Sequence, residues 1–322
     1  MIVILTVRDH QDTFACFRQG KYGFAAPDVR TIAYEDLFCA RRVPRATYVF
    51  ADLERLSSWE LSLAALRYRR LTRKGLRCLN DPARVMSRFE LLRALSRAGI
   101  NPFDIYRADE QPRPARFPVF LRDEDHHASP LPPLLNSQEE LDAALEARRA
   151  RGIPVRGTLV IEHCPAPYRP GRWHKWGTFR VADRMSVDHI GIDDTWYVKF
   201  GKWDLLDDTS VAEEHAAAAA NQVAPEVTQA FALSGIEFGR ADHATVDGRT
   251  VVYEINTNPF VGPYVPDPIP LRFKTQALVR ERLAAALAAI DCHESGWQKL
   301  KPSTPFGMRR TWAFGAKVPM RP

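Results

Sequence analysis

Residues 239–259 contain Gly239-Arg240-Ala241-Asp242, then Asp247-Gly248, then Glu254-Ile255-Asn256-Thr257-Asn258-Pro259. Glu254 and Asn256 stand two apart in an otherwise apolar run, so a strand puts both side chains on one face. With Asp242 they offer carboxylate and amide oxygens, hard donors suited to magnesium shared with phosphate. Arg240 adds a permanent fork of donors able to hold a phosphoryl or carboxylate oxygen. A plain surface hairpin explains Asp247-Gly248, but not polar ligands interrupting a buried strand.

The turn decides whether these groups can meet. A two-residue Asp247-Gly248 turn pairs Val246 with Arg249 and sets Asp242 opposite Tyr253. Glu254 and Asn256 then point to the other side of the sheet, because faces alternate along a strand. A three-residue loop with Gly248 left-handed, or an equivalent bulge, puts Arg240, Asp242, Glu254 and Asn256 together. The chemistry therefore predicts an odd loop or a bulge.

This segment resembles the C-terminal signature of the ATP-grasp superfamily, G-R-x-D followed by E-x-N-x-x-P, and is similar at these positions to D-alanine–D-alanine ligases. The resemblance implies that Asp242, Glu254 and Asn256 hold two magnesium ions and that Arg240 stabilises charge at the acyl centre. It implies an α/β fold: a pre-ATP-grasp α/β domain over residues 1–80, a small lobe over 81–157, and a larger lobe with the metal site over 158–291. The two lobes clasp ATP between them, and 292–322 form an extended tail.

The family uses two lysines on the nucleotide phosphates. The matching positions are Arg88, which begins a helix ahead of Gly99-Ile100-Asn101-Pro102, and Arg122, which ends the strand Pro118-Val119-Phe120-Leu121-Arg122. Both keep the charge and gain bidentate geometry. The loop 123–130 contains no glycine, unlike the family's phosphate-covering loop. Glu162-His163-Cys164 is similar to the hinge that reads adenine, with Glu162 accepting from the amino group and Cys164 offering its N–H. Arg180 and Lys199 are weaker choices for substrate contacts. The expected partners are ATP and small-molecule or peptide carboxylates and amines. The acid, the amine and the oligomeric state stay open.

The elements that must position these groups alternate strand and helix. Ile2–Val7 and Thr47–Ala51 read as buried strands, and Ser57-Ser58-Trp59-Glu60 is a capping box opening a helix that stops at Gly75. Asp81 and Pro82 predict the start of a second helix ending at Gly99. Ser137 opens a third. Residues 158–161 form a short strand; 178–187 and 196–200 read as antiparallel strands. A helix from Ser210 should kink at Pro225, and a last helix covers 272–290.

The chain has 322 residues, 45% hydrophobic and 26% charged, which excludes a disordered polymer. No apolar run reaches membrane-helix length, and Ile2–Val7 meets Arg8-Asp9 too soon for a signal peptide. Five cysteines without a C-x-x-C pair argue for a reducing, cytoplasmic setting. A surplus of 45 Lys and Arg over 39 Asp and Glu favours anionic partners. The densest basic block, Arg67–Arg77, reads as a solvated helix face or a polyanion patch. The reading is an ATP- and magnesium-dependent carboxylate–amine (or carboxylate–thiol) ligase. Alternatives are a nucleotide binder without ligase activity and a basic nucleic-acid-binding protein, the latter disfavoured because no aromatic-rich RNA-binding motif is present.

Overall fold

Every residue of β1 (Ile2–Thr6) is buried, as a central strand covered on both faces requires. The computed structural model describes residues 1–14, 27–125, 131–261 and 267–301, and the backbone of 310–313 and 316–319. Residues 126–130 of the glycine-free loop lie outside the described residues. The chain forms two compact units, one of 1–85, 257–265 and 283–322, the other of 86–256 and 266–282. The expected α/β class is what the structure shows.

In the first unit β1 pairs in parallel with β2 (Val29–Ala33). The chain continues through α1 (Tyr34–Cys39), β3 (Arg42–Pro44), β4 (Thr47–Phe50), α2 (Ser58–Thr72) and β5 (Cys78–Leu79). The sheet order is β2-β1-β4-β5. Val3, Leu5, Tyr48 and Phe50 meet Tyr34, Leu37 and Phe38 of α1 and Leu63, Ala64 and Leu71 of α2. The box at Ser57 forms: its side chain accepts from the Glu60 N–H while Glu60 Oε2 accepts from the Ser57 N–H at 2.9 Å.

The second unit opens with α3 (Arg88–Arg97), not at Asp81. Asp81 instead closes a local turn, accepting from the Ala83 N–H at 3.0 Å, a competing side-chain bond that the Asp-Pro start did not reveal. Ser87 and Glu90 supply the reciprocal cap, which sets Arg88 at the first helical position. A small antiparallel sheet, order β6-β8-β7, follows from β6 (Ile105–Arg107), β7 (Val119–Asp123) and β8 (Thr158–Glu162), with α4 (Gln138–Ala150) on it. Leu141 and Leu145 of α4 pack on Val119 and Val160.

The larger sheet runs β11-β10-β12-β13, with β9 (Pro167–Arg169) beside β10. The expected 178–187 strand is the hairpin of β10 (Arg172–Val181) and β11 (Arg184–Asp193), turning at Ala182 with φ 56°. Residues 196–200 are not a strand. Nor does Pro225 kink one helix: α5 (Asp208–Ala220) ends at left-handed Asn221, and Pro225 occupies the first position of α6 (Pro225–Ser234), where its missing N–H costs nothing. β12 (Phe238–Val246), β13 (Arg249–Asn256) and α7 (Pro270–Ala288) as far as Arg282 complete the unit.

The C-terminal segment returns to the first unit. β14 (Trp297–Lys299) pairs with β3, and Leu300 is buried, while Trp297 is exposed. Backbone pairing with β3 holds residues 297–299. Arg67 explains why it matters. The side chain is fully buried and donates to the carbonyls of Phe38 at 2.7 Å, Ala40 at 2.9 Å and Lys301 at 2.7 Å. Burial pulls its pKa down to about 10. One member of the basic block thus belongs to the core. Deleting residues 297–322 should cost about 2–4 kcal/mol in urea denaturation, since a buried guanidinium loses an acceptor. An additional Arg67→Met should recover part of that loss.

Candidate active site

The β12–β13 hairpin has the plain two-residue turn, Asp247 and Gly248 both left-handed at φ 49° and 75°, so the preferred three-residue loop is not what forms. Val246 pairs with Arg249, and the ladder continues to His243 opposite Val252. There the register shifts. Asp242 pairs with Glu254, Ala241 with Ile255 and Arg240 with Asn256. Tyr253 is the extra residue of a β-bulge, the alternative that the chemistry allowed. Beyond it Arg240, Asp242, Glu254 and Asn256 share one face.

Two contacts fix the bulge. Asn101, buried in the turn after α3, donates to the Val252 carbonyl at 2.8 Å and accepts from its N–H at 3.0 Å, a side-chain amide replacing a strand. The Tyr253 hydroxyl donates to the Cys164 carbonyl at 3.0 Å, and its ring stacks on Phe103. Burial pushes the phenol well above its ordinary pKa.

Arg88 and Arg122 converge on this face. The Arg88 Nη2 donates to Glu254 Oε2 at 2.5 Å and its Nη1 to the Glu124 carbonyl at 2.8 Å; Arg122 Nη2 reaches the same Glu254 oxygen at 2.9 Å. Lys175 of β10 lies 2.8 Å from Asp242 Oδ2. Arg240 bridges Asp242 at 3.3 Å and Asp188 of β11 at 3.6 Å. Burial opposes the charge of Arg122 and of Arg240, yet Glu254 holds the first and Asp242 the second above the usual value. Asp188 is likewise buried, yet His189, Arg280 and Arg240 hold its pKa well below the carboxylate range.

Gly177 makes room for this arrangement: a Cβ there would stand 3.2 Å from Arg240 Cδ and 3.3 Å from Asp188 Cβ. At Gly239 a Cβ would stand 2.6 Å from the Asn256 carbonyl oxygen.

Glu162, His163 and Cys164, the expected hinge, lie at and just beyond the end of β8. The Glu162 carboxylate accepts from the Asp104 N–H, the Tyr106 hydroxyl and both the N–H and Nε of Arg116, at 3.0–3.2 Å. Its side chain is a buried anchor whose acceptors are taken up by these donors. The His163 N–H donates to the Pro118 carbonyl, and its ring meets Trp196 edge-on at 4.6 Å. Phe120, Trp196 and Tyr197 adjoin, their centroids 5.0–6.3 Å apart, and Arg122 lies over Tyr197. Arg180 is not brought to this face; it donates to the Ala182 and Ile236 carbonyls. Lys199 lies over the Phe200 ring, and its carbonyl accepts from Lys175 at 3.2 Å. Sequence reasoning missed Asp188, Gly177, Asn101 and the Trp196–Tyr197 pair. Only Asn101 had a signal, the Gly-Ile-Asn-Pro turn that contains it.

Among the described residues no group of three or more His, Cys, Asp and Glu side chains forms a metal cluster. The donors that share the hairpin face are Asp242, Glu254 and the amide of Asn256. Such a set suits magnesium, which takes one or two carboxylates and completes its shell with phosphate and water.

No protein-family model and no curated protein matches the chain. Solved structures do. A RimK domain ATP-grasp protein from Sphaerobacter thermophilus is 16% identical, with 90% of this chain and 99% of that one covered, at TM-score 0.48. An L-amino acid ligase from Bacillus licheniformis is 13% identical over 86% of this chain and 73% of its own, at 0.44. A D-alanine–D-alanine ligase from Bacillus anthracis, complexed with ATP, is 12% identical over 88% and 97%, at 0.44. The first of these is named as an ATP-grasp protein and the other two as ligases.

The glycines give a ranking to test. Gly239→Ala should be the more destabilising, because its Cβ meets backbone at the Arg240–Asn256 rung. Gly177→Ala meets the flexible Arg240 side chain and should cost about 1–3 kcal/mol, the usual range for overpacking. Urea midpoints of both variants measure the order.

Proposed function

We propose that this protein is an ATP- and magnesium-dependent ligase that activates a carboxylate as an acyl phosphate for attack by an amine. The observation that carries the reading is the bulge at Tyr253, which brings Arg240, Asp242, Glu254 and Asn256 to one face where Arg88 and Arg122 converge.

Asp242, Glu254 and Asn256 would hold the magnesium, which when bound neutralises phosphate charge. Arg88 and Arg122 now share one carboxylate; an incoming polyphosphate offers each a better acceptor, and bidentate guanidinium–phosphate contacts are strong. The aromatic group of Phe120, Trp196 and Tyr197, beside His163, supplies apolar faces for a purine. Substrate carboxylate oxygen then bonds to the γ-phosphorus as the bond to ADP breaks. Arg240, held on two sides by Asp188 and Asp242, is fixed in place to stabilise the oxyanion that forms when the nucleophile attacks. Fixed charge of this kind needs no reorganisation during the reaction. The role of Lys175 on Asp242 is to offset charge beside that centre.

The involvement of Arg67 in the core removes a member of the basic patch and supports this reading over nucleic-acid binding. Three measurements test it. ATP with magnesium should raise the Tm. Arg88→Ala and Arg122→Ala should each weaken ATP binding about tenfold to a hundredfold, as expected for a lost charge-assisted bond. Glu254→Gln should abolish ADP release, and it should also lower stability, because Arg88 and Arg122 lose their shared partner. An ADP-release screen over carboxylate and amine pairs decides the activity: none above background, with ATP bound, leaves the non-ligating nucleotide binder.

A further inference from the structure

The larger sheet of the second unit holds another bulge, on the far side of β10 from the first. Trp176 of β10 pairs with Ile190 of β11, and Thr178 pairs with Val187. Gly177 therefore stands opposite two residues, Asp188 and His189. On its other side Gly177 pairs with Asp242, which pairs with Glu254. One line across the sheet thus carries Glu254, Asp242, the bare Gly177 and the Asp188–His189 pair. A bulge re-aims side chains, and this one brings two consecutive residues into contact: His189 Nδ1 lies 2.7 Å from Asp188 Oδ2.

The Arg240 side chain runs along this line. It crosses over the glycine, where a Cβ at position 177 would stand 3.2 Å from its Cδ. Its Nε lies 3.3 Å from Asp242 Oδ1 and its Nη1 3.6 Å from Asp188 Oδ2. The guanidinium assigned to the oxyanion has the metal donors at one end and the carboxylate that holds His189 at the other. Two strand spacings separate the backbones of Asp242 and His189 by roughly 10 Å. That leaves room for an acyl carbon and an attacking nitrogen between them.

The chemistry of the ring follows from its partner. Asp188 is buried, which opposes its charge, yet His189, Arg280 and Arg240 hold its carboxyl well below the ordinary range. An ionised carboxylate only accepts, so Nδ1 carries the proton and the neutral ring keeps its lone pair on Nε2. The imidazole is 40% exposed, and among the described residues its Nε2 makes no hydrogen bond. The charged groups around the pair come from four elements. Glu214 of α5 accepts from the Ile190 N–H at 3.2 Å and from Arg272 Nε of α7 at 3.1 Å. Arg280 of α7 and Arg240 of β12 act on Asp188, and Lys175 of β10 is turned to Asp242. Asp188 is thus the carboxylate that orients the ring. An oriented imidazole with an open nitrogen beside a reacting centre is the arrangement of a general base.

We infer that His189 is the general base for the amine nucleophile and that Asp188 positions it together with Arg240, an inference that rests on the ligase reading. The ammonium gives one proton to His189 Nε2, leaving an imidazolium held by Asp188 and a neutral amine. The amine lone pair bonds to the acyl carbon, and Arg240 faces the oxygen that takes up the charge. The bond from that carbon to the phosphate oxygen then breaks, and phosphate leaves with its electrons and takes the second proton from nitrogen. His189 is a catalytic residue and Asp188 a positioning residue, one carboxylate setting both the base and the oxyanion donor.

Hydroxylamine separates this role from a structural one, because it is largely unprotonated at neutral pH and needs little help from a base. The full chain is assayed for ADP release with the common amino acids as carboxylates, and with either amino acids or hydroxylamine as nucleophile. His189→Gln should lose roughly a hundredfold or more with amino-acid nucleophiles relative to its own loss with hydroxylamine. Its urea midpoint and its calorimetric affinity for ATP with magnesium should match the parent's, and imidazole should partly rescue His189→Ala. Asp188→Asn should lose activity with both nucleophiles, because Arg240 loses its support as well. Equal losses of His189→Gln with both nucleophiles, or no loss with either, would overturn the inference while leaving the ligase reading intact. Absence of hydroxamate and of ADP release from the parent with every acid would overturn the ligase reading and this inference with it.

Discussion

In an antiparallel pair, opposed residues share a face and the face alternates along each strand, so one residue more or less inverts everything beyond it. Tyr253 is that residue in β13. The contacts that hold it come from separate places: Asn101 after α3 engages Val252, the end of β8 receives the Tyr253 hydroxyl, and Phe103 covers the ring. The bulge is therefore where the small sheet, α3 and the hairpin agree on one geometry. Remove that agreement and Glu254 faces away from Asp242, however well the rest of the sheet is packed.

Electrostatics follows from this geometry. Arg88, Arg122, Lys175 and Arg240 interleave with Asp188, Asp242 and Glu254. Burying so many charges is costly unless each is paired, and a pair in place of apolar side chains does not by itself stabilise a fold. Here each charge meets an opposite one, so the set is held by pairing and not by apolar packing. Arg67 shows the contrasting use of the same residue type. Its partners are carbonyls, its charge is diluted by backbone dipoles, and it ties the C-terminal segment to α2.

The strand and helix types were legible in the sequence wherever a local signal was sufficient. The Ser57 box, the apolar run of β1 and the carboxylate spacing of β13 each act over a few residues. What the sequence hid depended on competition or on distant contact. Asp81 had the makings of a helix cap, but Ser87 with Glu90 made the better one. The need for a bulge could be argued from the ligands alone; its location could not, because Asn101 lies 151 positions from Val252. Trp196 and Tyr197 read as strand residues by composition, yet their rings cluster with Phe120 and His163 outside any strand. Arg67 looked solvated because its acceptors, Phe38, Ala40 and Lys301, are backbone groups that leave no trace in residue type.

The bulge has an evolutionary corollary. The parity of a hairpin is a discrete quantity that substitutions cannot tune by degrees; only insertion or deletion changes it. Descendants of this chain could lengthen the Asp247-Gly248 turn by two residues and keep the site, provided the bulge stays. If instead one residue were added to β12 between Asp242 and Val246, within the paired segment, it would oppose Tyr253, the bulge would close, and Asn101 would be released from its role. The length of β12 and the residue at position 101 are thus expected to drift together across a lineage, though no bond joins β12 to Asn101.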